Sequence, residues 1–396
     1  MNCISRKEMQ CWRMVNQLRS IFLVAVASGL MATTANAQCY QPPDVPCWFD
    51  DYTLVGAVSR STDTLDIFAE DVRGYVYGAA WQPGTGWQGW YWLPGLESLI
   101  PTQVTAVSRS TDKIDLFTVD LNRHVKTAAW DSANGWHGWW SIGDLTVCSG
   151  PENGVTAVSR STDKLDIFAV GDDGQVYTAA WQPGFTGWHG WWPIPGVRAG
   201  PFTQVAAVSR ITDALDIFVV DVNGTVQSAA WEPGFAGWTS WHQIPGVQAF
   251  PGSTVTAVKR NTNCVHLFLT DDKWRIQTAA VFPAFGGWNQ IGFADTAATV
   301  SAISRRPDRL DVFVAAYNFV WTNGWEPDLP NWTGWQIIPN FAAVNGAPIG
   351  AVSRSLDKID LYAVAAGYNV WTAGWQPAFG KTWDVFPLPM RIRGHP

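Results

Sequence analysis

Short apolar runs alternate with short polar turns along this chain, and the alternation itself repeats. The clearest copy is residues 155–196, VTAVSRSTDKLDIFAVGDDGQVYTAAWQPGFTGWHGWWPIPG. Four segments stand out: VTAVSR (a), LDIFAV (b), QVYTAAW (c) and WHGWWPI (d). Each has the length of an ordinary strand. Each is rich in β-branched and aromatic residues, which suit a pleated, half-buried surface. Turn-forming residues separate them: Ser-Thr-Asp between a and b, Asp-Asp-Gly between b and c, Gln-Pro-Gly-Phe-Thr-Gly between c and d. No window sustains a helical period.

The arginine that ends segment a recurs at Arg60, Arg109, Arg160, Arg210, Arg260, Arg305 and Arg354, at intervals of 45 to 51 residues. A fixed period of this size marks a solenoid, a propeller or an array. Four antiparallel strands per period fit a propeller blade. The pattern therefore predicts an all-β, seven-bladed β-propeller over residues 54–390, with four antiparallel strands per blade and a short tail at 391–396. Ring closure protects sheet edges that seven separate sheets would expose. Two stacked domains of three and four units are the rival arrangement, but no stretch between units resembles a linker. Blade 1 (about 54–96) and blade 7 (about 348–389) are both whole, so closure needs no strand shared between the termini. Blade 5 is degraded: Lys259-Arg260-Asn261-Thr262-Asn263 replaces the SRSTD pattern, and Val281 replaces the tryptophan ending segment c.

Residues 1–37 stand apart. Arg6, Lys7, Arg13 and Arg19 surround the start of an apolar run at 21–31, followed by Ala35-Asn36-Ala37. This is the layout of a secretory signal peptide, so the mature chain is expected to begin at Gln38 and to be exported, extracellular or periplasmic. The run is short for a membrane span, and no later stretch is longer. Without residues 1–37 the formal charge goes from −7 to −10, because four basic residues and Glu8 leave. An acidic chain is a poor partner for nucleic acid or an anionic membrane. In an exported protein, Cys39 and Cys47 are expected to form a disulfide in an N-terminal arm, 38–53. Cys148 and Cys264 are either bridged or two buried thiols. No Cys/His cluster suggests a metal site, and no cofactor motif is present.

The a–b and c–d loops of an antiparallel blade emerge on one face, and the b–c loop on the other. Arg160, Asp163, Trp181 and Trp188 should therefore share a face. So should Arg60, Asp63, Trp81 and Trp87; Arg109, Asp112, Trp130 and Trp136; Arg210, Asp213, Trp231 and Trp238; Arg305, Asp308, Trp325 and Trp332; and Arg354, Asp357, Trp375 and Trp383. An indole beside a guanidinium and a carboxylate suits a sugar. Trp covers the apolar C–H face, Arg donates to the hydroxyl rim and Asp accepts from it. The 26 tryptophans cannot all bind ligand. Trp90, Trp139, Trp191, Trp241 and Trp335 in segment d are expected to pack between blades. The aspartate of the LDIF segment (Asp66, Asp115, Asp166, Asp216, Asp311, Asp360) is expected to be a structural anchor. Catalytic residues would break the repeat, and no singular acid stands out. Repeated polar groups suit multivalent binding instead.

Repeats reading AVSRSTDKLDIFAV, VYTAAW and GWHGWW resemble those of the PLL-like bacterial lectins, over nearly all of residues 54–390. More distantly, the chain is similar to the six-bladed fungal fucose lectins. The resemblance implies a seven-bladed propeller that binds L-fucose or O-methylated sugars in pockets between adjacent blades. It also implies glycan or glycoconjugate partners, no catalytic activity and no cofactor. The sequence departs from that pattern in its Ala-Ala-Trp segment c and in blade 5. The alternatives are a propeller glycosidase or lyase, which needs a unique acidic pair, and a protein-interaction scaffold with purely structural tryptophans. Either a single chain or a homo-oligomer fits these readings.

Overall fold

A computed structural model describes residues 53–388, apart from 100–101, 149–153, 201–202, 297, 366–368 and 381. The signal segment, Cys39, Cys47 and the C-terminal tail lie outside the described residues.

The described chain forms seven four-stranded antiparallel sheets, each made of four consecutive strands. The blades run Gly56–Trp92, Thr105–Thr146, Thr156–Ile194, Ala206–Ile244, Thr256–Phe293, Ser301–Ile337 and Gly350–Leu388. In blade 3, strand a is Thr156–Ser161, b is Lys164–Val170, c is Val176–Trp181 and d is His189–Ile194. The b–c ladder runs without slip from Leu165 opposite Trp181 to Val170 opposite Val176.

Each strand a touches strand a of the next blade, and that of blade 7 touches that of blade 1, so the seven form an inner ring. Side chains there are small because neighbouring backbones approach closely. The hydroxyls of Thr105, Thr156, Thr256 and Ser301 donate to a carbonyl of the following blade. In blade 1 the same place is Gly56, where a Cβ would sit 2.2 Å from the Val104 carbonyl oxygen.

Strand b lies between two blades, with both faces covered. That is why LDIFAV and its copies are buried at every position rather than at alternate ones. The hydrophobic core is accordingly between blades. One cluster joins Phe117, Val119 and Val125 of blade 2 to Val155, Leu165 and Ile167 of blade 3. The equivalent cluster at the seam joins Val55, Leu65 and Ile67 of blade 1 to Tyr362, Val364 and Val370 of blade 7. The seam is therefore as well packed as the other junctions, and the two-domain arrangement is ruled out.

Polar groups repeat the same stitching. Asp63, Asp163, Asp213 and Asp308 have left-handed backbones (φ 57° to 62°) in the a–b turn, a conformation that aspartate tolerates better than most residues. Their peptide N–H groups donate to the carbonyl of the marker arginine one blade earlier: Arg354, Arg109, Arg160 and Arg260. In segment d, the indole N–H groups of Trp90, Trp191, Trp241 and Trp335 donate to Leu388, Ile142, Ile194 and Ile291 of the preceding blade. These tryptophans are interblade ties. Cys148 and Cys264 are buried and are not bridged to each other.

Candidate functional site

The marker arginines end strand a, and their guanidinium groups turn outward between blades. Up to three kinds of neighbour surround each one. The first is the LDIF carboxylate of its own blade: Arg60–Asp66 at 2.7 Å, Arg109–Asp115 at 2.7 Å, Arg210–Asp216 at 3.0 Å, Arg305–Asp311 at 2.8 Å and Arg354–Asp360 at 3.3 Å. Arg160 holds Asp166 in the same way. These aspartates are all buried, which fits their expected anchoring role. Burial raises the Asp115 and Asp166 carboxyls to about 6, with the arginine pulling the other way, so both remain mostly ionised at neutral pH.

The second neighbour is the tryptophan ending strand c, and it comes from the next blade. Arg60 lies 4.6 Å over Trp130, Arg109 4.5 Å over Trp181, Arg160 5.6 Å over Trp231, Arg260 4.8 Å over Trp325, Arg305 4.3 Å over Trp375 and Arg354 4.6 Å over Trp81. Such contacts contribute about 0.5–2 kcal/mol each, more as water is excluded.

The third is the a–b turn aspartate, again from the next blade. Asp213 receives Lys164 at 2.8 Å and lies 3.4 Å from Arg160. Asp63 receives Lys358 and lies 3.8 Å from Arg354. Asp163 pairs with Lys113, Asp308 with Arg260, and Asp357 with Arg305 and Arg306. The lysine hydrogen bond holds the Asp213 and Asp63 carboxyls below the usual range. Asp112 departs from this. Blade 1 has Thr64 where blades 2, 3 and 7 carry Lys113, Lys164 and Lys358, and the exposed Asp112 accepts from Ser110 instead.

These groups are brought together across blades rather than within one blade, as loop parity alone would have grouped them. Arg160, Asp163, Trp181 and Trp188 do not form one cluster around Arg160. Asp163, Trp181 and Trp188 face Lys113, Arg109 and Phe117 of blade 2, while Arg160 faces Asp213 and Trp231 of blade 4. The stack forms across the interface, because side chains project outward from the faces of their own sheet and so meet those of the neighbouring blade.

The tryptophans that open segment d have their own place. Each packs edge-on against the strand-b aromatic of the preceding blade: Trp136 on Phe68, Trp188 on Phe117, Trp238 on Phe168, Trp332 on Phe268, Trp383 on Phe313 and Trp87 on Tyr362, at 5.5 to 6.3 Å and 83° to 89°. An edge-to-face pair adds about 0.5–1.5 kcal/mol to the area it buries.

Two aromatic residues stand out that loop parity does not reach. Trp140 and Trp192 are 50% and 49% exposed on the outer strands of blades 2 and 3. Both sit opposite the same strand-c position, Thr127 and Thr178. The Trp-Trp dipeptide is the available signal: in a strand, if Trp191 faces the neighbouring blade, Trp192 must face the other way. The grooves led by Arg109, Arg160, Arg305 and Arg354 therefore combine an arginine, two carboxylates and an indole pair from the next blade, with a further exposed indole beside the grooves that blades 2 and 3 open toward their successors.

One acid does break the repeat. Glu70 ends strand b of blade 1, where blades 2 to 7 carry Val119, Val170, Val220, Thr270, Ala315 and Val364. It is buried, accepts hydrogen bonds from Thr102 and Thr118, and its carboxyl is pushed up to about 7 by burial. It lies at the b–c end of its blade, away from the marker arginines. Among the described residues, no group of three or more His, Cys, Asp or Glu side chains converges as a metal site would.

No known family profile matches the sequence. No curated protein matches it either. Among solved structures, the fold is similar to that of the BP39L lectin from Burkholderia pseudomallei, with a TM-score of 0.72 at 21% identity, covering 85% of this chain and 98% of that one. It is also similar to AofleA from Arthrobotrys oligospora, with a TM-score of 0.57 at 16% identity, covering 78% and 92%. The Aleuria aurantia lectin, solved in complex with Fucα1-6GlcNAc, gives a TM-score of 0.54 at 16% identity, covering 75% and 98%. At these identities the likeness is one of fold.

Proposed function

We infer that the chain is a non-catalytic carbohydrate-binding lectin with repeated sites in the grooves between blades. The observation that carries this reading is the recurrence, across successive interfaces, of an arginine set between two carboxylates and an indole from the next blade. A pyranose offers one apolar face and a rim of hydroxyls, and such a groove offers an aromatic wall with donors and acceptors beside it. The fold likeness to proteins described as lectins, one of them bound to a fucosylated disaccharide, supports the same class. L-fucose and O-methylated sugars, on cell-surface glycoconjugates, are the ligands we propose to test first for this exported chain. Several weak sites on one ring would act together on a multivalent surface. The interfaces differ in access: the Arg60 side chain is 20% exposed and that of Arg305 only 2%. Fewer than seven sites should therefore bind.

Calorimetric titration of the chain lacking residues 1–37 with methyl α-L-fucoside tests this. Saturable heat at several sugars per chain is the expected result. Absence of binding to every fucoside and to every glycan on an array would sink the lectin reading.

A glycosidase is the second reading, and one observation favours it. Asp166 and Asp213 both flank Arg160, one carboxyl raised and the other lowered, the contrast expected of an acid and its partner. The same contrast recurs at Asp360 and Asp63, and repetition around the ring suits a structural network better than one reaction centre. Release of 4-nitrophenol from aryl glycosides would decide for the enzyme.

A further inference from the structure

The interface between blades 4 and 5 lacks a part that the other six possess. Phe218 of blade 4 is the counterpart of Phe168, which carries Trp238 on its ring. Blade 5 supplies no indole there. Its segment runs from Val281 to Trp288, three residues shorter than from Trp231 to Trp241 in blade 4. Trp288 therefore takes the second tryptophan place: it lies against Gly246 as Trp241 lies against Gly196 and Trp191 against Gly143. Its position in the ladder agrees, since Asn289 after it sits opposite Thr278 as Trp192 after Trp191 sits opposite Thr178. The first tryptophan is simply missing, and Arg210 rests on Phe282 rather than on an indole.

A cavity of about 300 Å³ remains where that indole would lie, walled by Phe218, Ile244, Val281, Phe282 and Phe285. Asp216 lines it too, and is 1% exposed. Its Oδ2 accepts from Arg210, but Oδ1 is buried with no hydrogen-bond partner. The unsatisfied oxygens of Asp115, Asp311 and Asp360 differ, because each lies within 3.3 Å of its own arginine. A buried acceptor without a donor is unfavourable, and a ligand that supplies the donor relieves it. The cavity stands at the small end of the ~300–1,000 Å³ typical of small-molecule pockets.

We propose that this cavity binds a small planar aromatic molecule carrying one N–H or O–H donor, whose ring replaces the missing indole over Phe218 and whose donor meets Asp216 Oδ1. The site is single in the ring and independent of whether the other grooves bind sugar.

Indole is the probe, with benzothiophene as the same shape lacking the donor. Ligand-detected NMR titration should show indole saturating one site per chain, with benzothiophene roughly tenfold weaker, about the effect of one lost buried hydrogen bond. Phe285→Trp and, from the opposite wall, Ser228→Leu should each reduce indole binding at least tenfold while the thermal transition persists. Crystals grown with 5-bromoindole give a direct check that needs no variant. A bromine anomalous peak between blades 4 and 5 supports the site. A peak only elsewhere, or none at saturating probe, overturns it, as does equal binding of indole and benzothiophene.

Discussion

The guanidinium of Arg354, in the last blade, lies 4.6 Å over the ring of Trp81, in the first. Arg109 and Trp181 stand in the same relation within the ring, at 4.5 Å. The seam is thus closed by the contact that joins consecutive blades, helped by Lys358 on Asp63 and by Trp90 on the Leu388 carbonyl. Closure here is side-chain stitching and core packing between complete sheets.

Tryptophans of the two kinds should respond differently to truncation. Trp87→Ala removes the indole that packs on the fully buried Tyr362 at the seam and should cost about 3 kcal/mol. Trp192→Ala removes a half-exposed ring and should cost under about 1 kcal/mol while weakening sugar binding at the groove between blades 3 and 4. Denaturant melts and fucoside titration of the two variants separate the roles.

Asp166 is needed chiefly by Arg160. Asp166→Asn would replace the carboxylate beside the buried guanidinium by a neutral amide, leaving the more distant Asp213 as its nearest negative charge. Removing one partner of a buried ion pair costs about 3–5 kcal/mol. A loss of that size in urea unfolding is expected, against under about 1 kcal/mol for Asp112→Asn at the exposed turn. Equal effects would show that the pair is not the anchor.

Glu70 makes one contribution to the pH profile. Its folded carboxyl titrates near 7, above the ordinary value of 4.5, because burial disfavours the charge. A raised folded value means that the protonated form stabilises the fold. That stability is complete below about 4.5 and is lost as pH rises through about 7, a change on the order of 3 kcal/mol. Glu70→Gln keeps an oxygen for Thr102 and Thr118. It should raise the melting temperature at pH 8 more than at pH 5.

His266 works in the opposite direction. It stands where the other blades have the LDIF aspartate, 3.1 Å from Arg260. Burial and that guanidinium push its imidazole down to about 4. The neutral ring suits the fold, so its contribution is present above about 6.5 and is lost as pH falls through 4. His266→Asp would supply the missing carboxylate to Arg260. The variant should melt higher than the parent at pH 4.5, with a smaller gain at pH 8.

The strand pattern was legible because each blade is a local object. Segments of apolar residues between turn residues define sheets of consecutive strands, and the recurrence of Arg60 through Arg354 counts the blades. Strand b reads as buried from its own composition. The anchoring role of Asp166 was also legible, since a carboxylate among fully buried neighbours must be paired. Partnership across blades was not. Trp181 belongs to Arg109 and not to Arg160, a choice made between residues some seventy positions apart and between others only twenty apart, which spacing within one repeat cannot distinguish. Glu70 escaped notice because an acid at the end of an apolar run looks like the start of a turn until Thr102 and Thr118 close over it.

Blade 5 shows the division most clearly. In the chain, Val281 and Trp288 keep the seven-residue spacing of Trp231 and Trp238, so Trp288 reads as the first tryptophan of its segment. The ladder opposite Thr278 and Ala279 makes it the second. By itself, then, the sequence determined the all-β class, the four-strand unit and the number of blades, because backbone pairing and turn chemistry act between residues close in the chain. Only the tertiary structure decided which arginine meets which indole and where a cavity opens, because those outcomes depend on how two rigid sheets meet face to face.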